Sequence, residues 1–128
     1  MISLEQFIKE HRKDKEKNED FTAYLYELME KYGIEKSSDV YQKANVTKQA
    51  WSKIVSGKSL PSLNTCVKIA LAMRLTNHEC KYLLKKAGFT LASSSLFALI
   101  IRYCFENGIY DIYRVSDMLA EYGFTDFY

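Results

Sequence analysis

Lys48, Gln49, Ser52, Lys53 and Ser56 alternate with the apolar residues Trp51, Ile54 and Val55 at a spacing that, on a helix, gathers them on one outer face. Ammonium, amide and hydroxyl groups without a carboxylate suit a polyanion whose phosphates attract cations and whose base edges exchange hydrogen bonds. The plainer use of such a face is solvation, which any surface helix needs. Other constellations lead nowhere. Gly57-Lys58-Ser59 ends like a phosphate-binding loop but lacks the upstream glycine and the preceding strand. His78-Glu79-Cys80 completes no metal-ligand spacing with His11, Cys66 or Cys104, and Cys80 reads better as a small core hydrophobe. No Ser-His-Asp or Cys-His pairing suggests itself, and no carboxylate pair sits on an apolar face. The expectation is a protein that is not an enzyme and holds no metal or cofactor.

The elements that must present this face run from Ser37 to Gly57 and read as two short helices joined by a tight turn. Val40 and Ala44 give the first helix its apolar stripe, and Trp51, Ile54 and Val55 give the second its own. Asn45 falls between them and tolerates the left-handed backbone that such a turn needs. Val46 follows as an apolar plug, and Thr47 is a natural N-cap for the second helix.

The stretch resembles the helix-turn-helix of the XRE family, the lambda repressor-like DNA-binding domains. Val40, Ala44, Val46, Trp51 and Ile54 hold the family's apolar places, and Asn45 stands for its glycine. Ser56-Gly57 closes the second helix, and Pro61-Ser62-Leu63 opens a further one, so the resemblance covers roughly residues 21–88. It implies a second motif helix lying in the major groove of double-stranded DNA, with dimers reading half-sites about one DNA turn apart. By matched position, Lys48, Gln49, Ser52 and Lys53 would face base edges. Ser37, Lys43, Thr47, Ser56 and Lys58 would lie along phosphates. The chain departs from the pattern at Tyr41, where a small alanine is usual, at Ser37, often glutamine, and at Val55, often glutamate. The Tyr41 ring must either tilt outward or splay the helix pair.

Charge supports the same division. Residues 36–90 contain ten Lys and Arg against Asp39 and Glu79 only, although the whole chain carries a net charge of just +2. Segregated positive charge is the footprint of a nucleic-acid-binding module with flanks that do something else. With one proline and five glycines, each glycine trailing an apolar-periodic segment, the expected fold is all-α with left-handed glycine caps. The expected architecture is a lambda repressor-like unit of about five helices, an extra N-terminal helix and two C-terminal ones. Unpaired cysteines, no export signal and no apolar run long enough for a membrane span suggest a cytoplasmic protein.

Residues 1–20 form a charged N-terminal helix or linker, with Leu4, Phe7 and Ile8 before the run HRKDKEKNED, which reads as helix extension or linker rather than a basic arm. Residues 21–90 are the DNA-binding domain. There Phe21, Tyr24, Leu25, Leu28, Met29 and Tyr32 make one stripe, Ser62 caps the next helix, and Thr76 to Glu79 spell a capping box. Residues 91–128 are a helical extension in which Leu96 to Phe105 is apolar nearly all round and Asp111 caps a last helix. Either the chain's own helices cover that surface, or a homodimer or protein partner docks through residues 93–128. The tail Phe124 to Tyr128 reads as exposed aromatics on a contact surface. The alternative to a regulator is therefore a protein-interaction module, adaptor- or antitoxin-like, on the same scaffold.

Overall fold

The protein's structure, a computed structural model, describes residues 1–11 and 14–128, with side chains described outside residues 9–17. Among the described residues there are eight helices and no strand: α1 (Leu4–His11), α2 (Asp14–Lys31), α3 (Ser37–Lys43), α4 (Lys48–Val55), α5 (Leu63–Ala72), α6 (Asn77–Lys86), α7 (Leu96–Glu106) and α8 (Ile112–Glu121). The chain is all-α, and none of these helices is long and apolar enough to cross a membrane.

Helix α5 is the hub. Cys66, Val67, Lys68, Ile69, Ala70 and Leu71 are consecutive and all buried, so every side of the helix needs a cover. Helix α3 lies against one side, α6 against another and α8 against a third. A single apolar cluster then runs from Phe21, Leu25 and Leu28 of α2 through Trp51 and Ile54 of α4 to Val115 and Leu119 of α8 and Phe127 of the tail. Cys66, Cys80 and Cys104 are all buried and free, and burial pushes each thiol above its usual pKa, Cys80 to about 12.

Local chemistry sets the helix ends where the sequence places them. Ser3, Thr47, Ser62, Thr76, Ser95 and Asp111 each accept a backbone N–H of the first turn that follows. The five glycines all take positive φ after a helix, which no other residue type adopts at so little cost. Helix α3 starts without such a bond: Lys36 stands at its N-cap.

One expectation is narrowed and two need correction. Of the two readings given for the charged run, helix extension describes Asp14 to Asp20, which open α2. Arg12 and Lys13, and with them that part of the linker or arm reading, lie outside the described residues. Tyr32 leaves the apolar stripe; it is exposed, and its hydroxyl donates to Glu79. The tail is not an exposed aromatic surface, because Phe127 is 1% exposed and Phe97 packs against both Phe124 and Phe127. Its three aromatics read alike in sequence, and only the packing of α7 and α8 decides which one enters the core.

Glu79 ties α2 to α6. Its carboxylate accepts from Thr76 N at 3.0 Å, from Lys31 Nζ at 2.8 Å and from the Tyr32 hydroxyl. Burial alone would raise its pKa, but the bonds from Lys31, Thr76 and Tyr32 outweigh it and hold the carboxyl down at about 2. Tyr32, bound to that carboxylate, rises to about 12. A carboxyl depressed from 4.5 to about 2 on folding stabilises the native state above pH 4.5 and loses that contribution as pH falls toward 2. Because the Lys31 side chain is 62% exposed, solvent screening trims the effect. Glu79→Gln should cost about 1–2 kcal/mol at neutral pH. Urea denaturation at pH 7 and pH 3 checks this, with the gap between wild type and variant narrowing at the lower pH.

Candidate nucleic-acid interface

The outer face of α4 is built from both ends and from below. At its start, Thr47 Oγ1 accepts Ala50 N at 3.1 Å. Below, Trp51 and Ile54 are buried and Val55 is half-buried. At its end, α2 supplies side-chain donors to carbonyls of the last turn and the loop that follows. Thr22 Oγ1 donates to Ile54 O at 2.9 Å and Asn18 Nδ2 to Gly57 O at 3.0 Å. The following loop folds back, with Lys58 N and Ser59 N both donating to Lys53 O at 2.9 and 3.2 Å. With these contacts the helix is fixed in pitch and rotation.

What it turns outward is an arc of about 140°, by the helical angle per residue, holding Lys48, Ser52, Ser56, Gln49 and Lys53 in angular order. All are exposed, and no acidic residue occurs from Val40 to His78. Neither Lys48 nor Lys53 has an ion-pair partner among the described residues. The four residues expected to face base edges, Lys48, Gln49, Ser52 and Lys53, are thus brought together on one face.

The expected phosphate set is divided. Thr47 and Lys58 are exposed beside the two ends of α4. Ser56 Oγ donates its proton to Lys53 O at 3.2 Å, which leaves it acceptor character where a phosphate needs a donor. Ser37 is half-buried in the first turn of α3. Lys43 is set apart: it lines a groove with Gln42, Arg74, Tyr110 and Tyr113 on the flank of the turn.

The turn itself follows the expected chemistry. Asn45 takes φ +53°, and Val46 N bonds Tyr41 O at 2.8 Å. Tyr41 neither swings free nor lies flat; it is half-buried, with its ring 6.1 Å from that of Trp51 at 43°. Asn45 does more than replace a glycine, because its Nδ2 donates to the main-chain oxygen of Tyr128 at 3.3 Å. The same oxygen accepts from Lys68 Nζ at 3.2 Å, and Asn64 Nδ2 donates to Asp126 O at 3.3 Å. The tail therefore fastens the turn to α5. Sequence reading missed Lys68 and Asn64. The one available signal was a lysine among Cys66, Val67, Ile69, Ala70 and Leu71, where a solvated side chain has little room.

Thr22→Val keeps the shape of the side chain but removes one of the two donors to the part-buried Ile54 carbonyl, which still accepts Gly57 N at 3.1 Å. A loss of about 1 kcal/mol in unfolding free energy is expected, and chemical denaturation reads it directly.

Comparison of the chain with protein-family models, with characterised proteins and with solved structures gives no match.

Proposed function

We propose that this chain is a sequence-specific DNA-binding transcriptional regulator of the repressor type, with a lambda repressor-like arrangement of α2 to α6. In this reading α4 enters the major groove. The observation that carries it is the acid-free arc of two lysines, a glutamine and a serine on a short helix held at both ends. Lys48 and Lys53 supply charge to phosphates or to guanine edges, Gln49 can pair two-sidedly with adenine, and Ser52 accepts or donates. The capped start of α4 follows directly on the turn, as suits a helix whose first residues reach the bases.

Selection of bound sequences from random duplexes tests the reading, with enrichment of a defined site expected and a palindrome among the survivors indicating dimer symmetry. Lys48→Ala combined with Lys53→Ala is expected to weaken binding and to flatten the salt dependence by roughly 0.9 for each phosphate no longer held. Unchanged affinity across several salt concentrations would remove α4 from the interface.

A second reading has its own support. Leu96, Leu99 and Tyr103 form an exposed stripe along α7, at 45, 46 and 54% exposure. On the interaction-module reading this stripe docks a second copy or another protein. Since the tail is part of the core, point changes test it better than truncation. Leu99→Asp should convert any dimer to monomer by light scattering while leaving the melting temperature within a few degrees.

A further inference from the structure

Arg74 stands where this chain otherwise uses glycine or asparagine. It follows the end of α5, with Arg74 N bonded to Leu71 O and Leu75 N to Ala70 O, and it takes φ +54°. Among the described residues the other left-handed ones are Gly33, Asn45, Gly57, Gly88, Gly108 and Gly123. An arginine in that conformation costs about 1–2 kcal/mol relative to the ordinary helical region, a strain glycine would avoid. Backbone strain held in place by its surroundings points to a use for the side chain.

The side chain has a defined place. The Arg74 guanidinium lies 5.5 Å from the centre of the Tyr110 ring, in a groove of about 310 Å³ between the turn and α8. Lys43 lines the same groove, and both cations are exposed and without a carboxylate partner among the described residues. Asp111 also lines it, but its Oδ1 is engaged by Tyr113 N at 2.9 Å as the cap of α8. Tyr113 is 63% exposed, its ring lies 4.7 Å from that of Tyr128 at 36°, and the two phenols are hydrogen-bonded. At its upper edge the groove meets Asn45, which lies three residues before the first residue of α4. The groove is thus continuous with the start of the reading helix.

We infer that this flank is a second contact for the DNA backbone, with Arg74 and Lys43 holding phosphates and the Tyr113 hydroxyl donating beside them. Residues beside the leading end of a groove-bound helix meet the sugar-phosphate wall of that groove. Two unpaired cations with a phenol donor match the chemistry of such a wall. The inference rests on the DNA-binding reading above, to which it adds Arg74 and Tyr113, both outside the two motif helices, beside Lys43 at the end of α3.

The test is duplex binding by anisotropy, at salt concentrations from 50 to 200 mM, for wild type, Arg74→Gly, Arg74→Gln, Arg74→Lys and the Lys48→Ala, Lys53→Ala pair. Each phosphate that goes unheld should flatten the salt dependence by about 0.9, so the wild-type advantage over Arg74→Gly should shrink by about 3.5-fold across that range. Arg74→Gly relieves the backbone, so its melting temperature should hold or rise while its affinity falls, a combination a purely structural role does not produce. Arg74→Gln and Arg74→Lys keep the strain and differ in charge; Lys should bind within about twofold of wild type and Gln should bind as weakly as Gly. Equal binding by Gln and Lys overturns the inference, whatever their stability. If the paired lysine variant loses affinity and Arg74→Gly does not, the flank is off the DNA path and α4 alone makes the interface. If wild type binds no duplex, the regulator reading falls and this inference with it.

Discussion

An ammonium group on a buried helix face needs an acceptor, and among the described residues Lys68 finds it in the tail of its own chain. It sits in α5, on a helix buried through six consecutive residues, and burial pulls its pKa below the usual lysine value. Leaving such a charge uncompensated costs several kcal/mol. The main-chain oxygen of Tyr128 answers it at 3.2 Å, and the oxygen of Asp126 answers Asn64 one turn earlier. The spacing is a geometric match: two residues of extended chain advance about 6–7 Å, close to the roughly 6 Å between residues four apart on a helix. Between the two bonds, Phe127 enters the core. The C-terminal third therefore completes the core of the preceding helices instead of standing beside it.

That closure has a consequence for α4. A helix of eight residues is too short to hold its shape in water by itself. Here its start is capped by Thr47, its underside is filled by Trp51 and Ile54, and its end is met by Thr22 and Asn18 from α2. The turn before it is pinned by the bond from Asn45 to Tyr128, so the tail and α2 grip α4 from opposite ends. Such support is what the proposed contact with base edges requires, since errors of about 0.5 Å or 10–20° already degrade a built site.

The parts of this structure that were legible in the sequence are those governed by local chemistry. Thr47, Ser62, Thr76 and Asp111 cap the helices that follow them because a short oxygen-bearing side chain reaches only the next turn. Asn45 and the glycines mark left-handed positions for reasons internal to one residue. Exposure of Lys48, Gln49, Ser52 and Lys53 follows from the position of Trp51 and Ile54 alone. What stayed hidden depends on partners far away in the chain. Glu79 could be read as half of a capping box, but not as the acceptor for Lys31 and Tyr32, which lie over forty residues earlier. Arg74 gave no sign of a positive φ, because arginine carries no preference for it. Lys43 could be counted as a cation, but only the fold shows that it faces Arg74 and Tyr110 and not Lys53.

The distribution of charge gives these contacts their range. Ten basic side chains against two acidic ones in residues 36–90 would by themselves attract any polyanion. The flanking helices counter that field: Glu19, Asp20, Glu27 and Glu30 on α2 and Asp117 and Glu121 on α8 are all exposed. At physiological salt, fields between exposed charges fade over about 8 Å, so the acidic flanks repel a duplex only where it lies close to them. A duplex that approaches α2 or the outer side of α8 is repelled at contact range. One that approaches α4 meets lysines without a carboxylate among them. If the chain binds DNA as proposed, the near-neutral net charge of +2 serves orientation more than attraction, because it suppresses other faces while leaving that of α4 positive. With long-range attraction so reduced, the proposed binding would have to come from contacts made at the surface of α4 and its flank, where geometry and not total charge decides what is held.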